Sequence, residues 1–220
     1  MNSNPRFPIP LMVFTTLYFV GFSIAAFQNG NSEFILYIGV MAFLIWGIFT
    51  IHRRCQLSLP LLWCLSIWGL LHMAGGIVAI PTSWPYNPPN NVLYSLWLIP
   101  DKLKYDQITH AYGFGITTWL CWEALRNGLR SRFKCELTPT VGTLVLCVGG
   151  GMGFGAFNEV IEFFATISLP NTNVGGYMNT GWDLVYNMIG SAVVAVVIYF
   201  RCRGDQSNLT PGAEGESESA

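Results

Sequence analysis

Phe34-Ile35-Leu36-Tyr37-Ile38-Gly39-Val40-Met41-Ala42-Phe43-Leu44-Ile45-Trp46-Gly47-Ile48-Phe49-Thr50-Ile51 contains no charged side chain and ends on His52-Arg53-Arg54. A run of about 18 apolar residues rising 1.5 Å each is long enough to cross most of the roughly 30 Å hydrocarbon layer. Working outward, comparable windows run from Ile9 to Phe27, Leu59 to Ile80, Asp106 to Leu125, Thr140 to Ile167 and Asp183 to Phe200. The whole chain is 52% hydrophobic and 10% charged, against about 25% charged for a soluble domain. The expected fold is all-α, a polytopic integral membrane protein with six transmembrane helices. Ile9 to Phe27 exceeds the usual h-region of about 7 to 15 residues, so it is read as a membrane helix and not a signal peptide.

Charge placement supplies an orientation. Arg6, Arg53, Arg54, Arg126, Arg130, Arg132, Lys134, Arg201 and Arg203 fall on one side of this threading, and Lys102 and Lys104 on the other. The positive-inside bias predicts that both termini are cytoplasmic, in a bacterial cytoplasmic (inner) membrane. The cysteines then fall on the cytoplasmic side, which predicts reduced thiols. A net charge of −1 carries no signal for nucleic acid, and the expected partner is the lipid bilayer.

Residues 1–203 are expected to form one six-helix domain and 204–220 a disordered acidic cytoplasmic tail, too polar to bury anything. The long loop Pro81 to Tyr105, rich in Pro, Trp and Tyr, suits either a stiff interfacial lid or a plain connector. The loop Ser168 to Trp182 holds turn formers, among them Asn171, Asn173, Asn179 and Gly175, that let the chain fold back over a site.

Ionisable groups stand where lipid forbids them: His72, Asp106 with His110, Glu159 with Glu162, and Asp183. Counting from the helix ends places all of them in the outer third of the membrane. Asp106 and His110, Asn158 and Glu162, and Asp183 and Asn187 are four apart, and Glu159 and Glu162 three apart, so each pair shares a helix face. A carboxylate in hydrocarbon costs at least about 2.5 to 3.5 kcal/mol, so these faces should turn toward one another or toward water. Three compensations are open. The groups can bind a divalent metal, Zn, Mn or Fe, with His110, Asp106, Glu159 and Asp183 as ligands. They can share protons, separating acid from base. They can also form a purely structural network with protonated histidine.

Glu123, a turn before Arg126, reads as half of a snorkelling salt bridge. Gly149 with Gly153 and Gly151 with Gly155 are overlapping GxxxG pairs, expected to bring a neighbouring helix close or to soften the fifth helix into a hinge.

Leu71-His72-Met73-Ala74-Gly75-Gly76, Tyr105-Asp106-Gln107-Ile108-Thr109-His110, Asn158-Glu159-Val160-Ile161-Glu162-Phe163 and Trp182-Asp183-Leu184-Val185-Tyr186-Asn187-Met188-Ile189-Gly190 resemble the YjdF membrane proteins. More distantly they are similar to the VanZ-like family, with Gln107 where those chains often have Lys and Glu162 in place of their Gln. The resemblance covers about residues 60 to 200. It implies the membrane topology and an outer-face polar site, and through the VanZ-like group a link to resistance against envelope-directed glycopeptides, but no substrate.

The leading expectation is a semi-buried acidic and histidine site, open to the extracytoplasmic side, that binds or hydrolyses an envelope lipid or lipid-linked precursor. A metal would polarise a phosphoryl or acyl oxygen, Glu162 would be the general base with Glu159 beside it among the catalytic residues, and His72 would either support a ligand or contact substrate. Asn158 and Asn187 would be polar neighbours. The alternatives are a proton- or ion-coupled permease and a non-catalytic envelope factor.

Overall fold

The computed structural model describes residues 7–170 and 172–208, with side chains through Cys202; Arg6, Asn171 and the tail 209–220 lie outside the described residues. Six α-helices make the body: α1 Ile9–Gln28, α2 Ser32–Cys55, α3 Leu59–Ile77, α4 Tyr105–Phe133, α5 Val141–Ser168 and α6 Tyr177–Asn208. Five of them, all but α4, are long and apolar enough to cross a membrane.

The helix ends follow local chemistry. Asn31 accepts the Phe34 N–H to start α2, and Arg53 and Arg54 occupy its last turn, where the helix dipole favours cations. Gln107 Oε1 accepts the Lys104 N–H at 2.9 Å and opens α4. Thr140 and Thr143 cap α5 reciprocally. At α6 the expectation needs correction: the helix starts at Tyr177, not Asp183, so Asp183 lies nearly two turns inside it, and the chain stays helical through residues 204–208, at the start of the stretch expected to be disordered.

α4 is the central post. It packs on α2, α3, α5 and α6 and on the long loop after α3, while α1 packs on α2 and α3. Its polar residues Gln107, Thr109, His110, Thr117 and Thr118 are buried, which explains why its composition falls short of the other five. A helix surrounded by protein has little surface to match to lipid.

Glu123 corrects a second expectation. Its carboxylate does not bridge to Arg126 or Arg130; it accepts the Ser58 N–H at 2.7 Å and the Ser58 hydroxyl at 2.6 Å, tying α4 to the first turn of α3. Arg130 pairs instead with exposed Glu136 at 2.6 Å. Glu123→Ala should therefore destabilise the protein by about 1 to 3 kcal/mol, the cost of orphaning charge-assisted bonds. Arg130→Ala should change the melting temperature little, a contrast that thermal unfolding reads directly.

The loop Val78 to Lys104 is a folded lid. Ile80 N–H donates to Asn91 O at 2.8 Å, Leu93 N–H to Val78 O at 3.1 Å and Trp97 N–H to Pro85 O at 2.9 Å, and β1 Trp97–Ile99 pairs antiparallel with β2 Leu103–Lys104. A second loop is latched to it: Asn173 N–H donates to buried Glu33 at the start of α2 (2.7 Å), while Asn90 of the lid donates to the Asn173 side chain (2.8 Å). One end of the bundle thus gathers the start of α2, the end of α3, the start of α4 and the α5–α6 connection.

Candidate functional site

Under this lid, α4, α5 and α6 bring their polar residues together around the His110 ring. Its Nδ1 lies 3.0 Å from Asn187 Oδ1 and 3.9 Å from Glu159 Oε1. On the other edge Nε2 lies 3.6 Å from Asp106 Oδ1. Side-chain donors of Asp106, His110 and Asp183 fall within 4.8 Å of one another, and so do those of His110, Glu159 and Glu162. The four residues expected as metal ligands therefore divide about the imidazole: Asp106 and Asp183 group on one side, whereas Glu159 groups with Glu162.

With Asn187 Oδ1 as acceptor, the His110 Nδ1 carries the hydrogen, and the Nε2 lone pair points toward the Asp106 carboxylate. For a neutral ring that contact is repulsive; it becomes attractive when Nε2 is also protonated or when a cation lies between the two groups. The 3.6 Å separation is long for a hydrogen bond but close to the spacing of two ligands held at about 2.0 to 2.2 Å on a tetrahedral centre.

Asp183 is 1% exposed. Its Oδ2 accepts from Asn179 at 2.6 Å, while its Oδ1, like both oxygens of buried Glu159 and the amide nitrogen of buried Asn187, has no hydrogen-bond partner among the described residues. Buried carboxylate oxygens without partners are costly. Their convergence on one imidazole lets a protonated His110, a shared proton or a bound cation compensate them.

Glu162 is positioned by Asn158, which donates to it at 2.8 Å. His72 stands outside both groups. Its Nδ1 lies 2.6 Å from the Tyr94 hydroxyl, and its ring borders a small cavity shared with Tyr37 and Asn158. Burial, reinforced by Asp106 and Glu162, pushes the Tyr94 phenol well above its ordinary range, so the hydroxyl keeps its hydrogen at neutral pH and can donate it to His72 Nδ1 when that nitrogen is unprotonated. The hydrogen of His72 then sits on Nε2.

Three members escaped the sequence reading. Tyr94 enters from the lid, over Gly75, where a Cβ would collide with its ring. Lys104, buried although cationic, donates to Asn179 and so reaches Asp183 through that amide. Asn179 was visible only as a turn former, yet it lies four residues before Asp183, one turn up the same face. His72, Asp106, His110, Asn158, Glu159, Glu162, Asp183 and Asn187, by contrast, all lie toward this end of the bundle.

The glycine run of α5 splits by face. A Cβ at Gly151 would meet Thr118 and Ser191, and one at Gly155 would meet Asn187, whereas Gly149 and Gly153 face open space. One GxxxG pair seats α5 against α4 and α6, and α5 is an unbroken helix.

The chain matches the model of a family described as predicted membrane protein (DUF2238) over residues 10–204 and belongs to that family. No curated protein matches it, and no solved structure does. The match includes the whole region carrying the YjdF resemblance.

Proposed function

We propose that this DUF2238 protein is a six-crossing membrane hydrolase with both termini in the cytoplasm, using a divalent metal beneath its extracytoplasmic surface to cleave an ester of an envelope lipid or lipid-linked precursor. The observation that supports this reading is that buried oxygens of Asp183 and Glu159 lack hydrogen-bond partners among the described residues and lie near the His110 ring, whose Nδ1 is 3.0 Å from Asn187 Oδ1. Orientation follows from charge: Arg53, Arg54, Arg126, Arg130, Arg132 and Arg201 lie at the end opposite the site.

Asp106, His110 Nε2 and Asp183 Oδ1 would hold zinc, manganese or iron, all of which accept nitrogen and carboxylate oxygen. The metal would polarise the substrate's phosphoryl or acyl oxygen and lower the pKa of a bound water. Glu162, steadied by Asn158, would take the proton as the water oxygen bonds to phosphorus or to the acyl carbon. As the ester bond breaks, that proton passes to the departing oxygen, and His72 Nε2–H donates to the substrate. Asn187 and the Lys104–Asn179 pair orient the ligands from behind, a role that in metal sites is worth about 10- to 100-fold in affinity.

Elemental analysis of purified protein should find about one divalent metal per chain; finding none removes the metal reading. In the lid, Tyr94→Phe is expected to keep that metal and lower hydrolysis of a phospholipid or prenyl-phosphate panel about tenfold, since only the His72 tautomer is released. Loss of metal in Tyr94→Phe would place Tyr94 in the ligand shell instead.

A further inference from the structure

Beside the polar cluster lies an apolar groove of about 450 Å³ between α1, α2 and α3 on one wall and α5 on the other, floored by α4. The groove is open along one side, with Phe43, Phe154 and Phe157 among its exposed lining residues, and in a bilayer an open apolar groove of this size takes hydrocarbon. None of the described residues lining it is charged, and Leu11, Ile48, Leu62, Phe154 and Phe157 are typical of its walls. The hydroxyls on its surface are mostly spoken for internally: Thr15 pairs with Ser66 at 2.6 Å and Thr117 donates to Gly113 O at 2.8 Å. On α2 the lining runs from Val40 to Ile51, roughly 16 Å at 1.5 Å per residue and about half of the roughly 30 Å hydrocarbon layer.

The groove borders the site through a separate small cavity of about 30 Å³. It shares Val40, Met41, Leu44, Trp68, Asn158 and Ile161 with the small cavity that also touches His72, and Asn158 is the residue that holds Glu162. We propose that this groove is the chain site of the substrate: one hydrocarbon tail of a membrane lipid lies between α2 and α5, and its polar head reaches His72 and the Glu159–Glu162 pair past Asn158. The inference rests on the lipid-ester reading of the site and adds to it a requirement for a long linear chain.

Gly47 lines the groove and Gly39, on the same helix, does not; a Cβ at either would meet nothing within 4 Å. The test uses the full chain in nanodiscs of fixed lipid composition, with an alkyl phosphate carrying a mid-chain diazirine as photoprobe. Labelled peptides should concentrate at the groove-facing residues of α2 and α5. Gly47→Phe should cut that labelling at least about fivefold while Gly39→Phe leaves it unchanged, the sizes expected when a bulky ring fills a preformed apolar pocket. On the wild type, unlabelled dodecyl phosphate should compete and hexyl phosphate should not, a comparison independent of any variant's folding. Equal labelling in both variants, or label spread evenly over outward residues such as Phe163 and Val196, overturns the chain site. Metal content measured on the same samples keeps the two readings apart. Metal retained with labelling indifferent to Gly47→Phe sinks the groove alone; metal absent with groove labelling intact sinks the metal centre alone.

Discussion

Alanine at His110 is expected to strip the purified protein of its divalent metal, to below about a tenth of the wild-type content, because both carboxylate groups converge on that one ring. No other side chain is common to the two groups. Removing it deletes the proposed nitrogen ligand and leaves Asp106, Asp183 and Glu159 without the ring they share. The same comparison separates a metal site from a merely structural imidazole. A bound metal stabilises the native state by mass action, so a chelator should lower the wild-type melting temperature toward that of His110→Ala and leave the variant where it is. Asn187→Leu should fall between the two, weakening metal binding by about 10- to 100-fold through loss of the tautomer-fixing acceptor. Wild-type protein free of metal, with a melting curve indifferent to chelator, would leave His110 as a structural residue.

The second large effect is steric. At Gly190 a Cβ would be driven into the Ala111 carbonyl, and at Gly115 it would lie 2.9 Å from the Gly190 oxygen, so α4 and α6 touch backbone to backbone at this crossing. Backbone cannot swing aside as a side-chain tip can, and Gly190→Val should cost about 3 kcal/mol or more, the severe end of overpacking. The displaced α6 would also carry Asn187 away from His110, one residue before Ala111, so metal content should fall in whatever protein still folds. The control is the pair of α5 glycines that face open space: Gly149→Ala or Gly153→Ala should be neutral or stabilising by up to about 1 kcal/mol, since alanine is the better helix former. Unfolding titrations of the three variants rank the contacts. A Gly190→Val protein as stable as the wild type would mean that the helices do not meet here.

These two predictions mark what could be read along the chain. His110, Asp106, Glu159, Glu162 and Asp183 were conspicuous because an ionisable group in an apolar segment stands out one residue at a time. Gly190 stands in the sequence only as the last residue of the stretch Trp182 to Gly190, with no packing role legible there, while the eye goes to the α5 run Gly149 to Gly155, two of whose five glycines face open space. Glu123 shows the same limit. Its sequence neighbours Arg126 and Arg130 suggested an ion pair, but its partner is Ser58, 65 positions away. The division of the acids on the two edges of His110 is likewise a matter of helix rotation, which spacing within a helix cannot set across helices.

By itself the sequence determined that the protein is helical and membrane-embedded, because hydropathy is a local sum over residues and the bilayer reads it locally. It also determined which residues cannot face lipid. Only the tertiary structure decided who meets whom: that α4 is the buried post, that Tyr94 of the lid reaches His72, that Lys104 backs Asp183 through Asn179, and that an apolar groove shares Asn158 with the cavity beside His72. Those outcomes depend on the rotation and close approach of helices distant in the chain, set by the packing of whole faces, and no single stretch of residues encodes them.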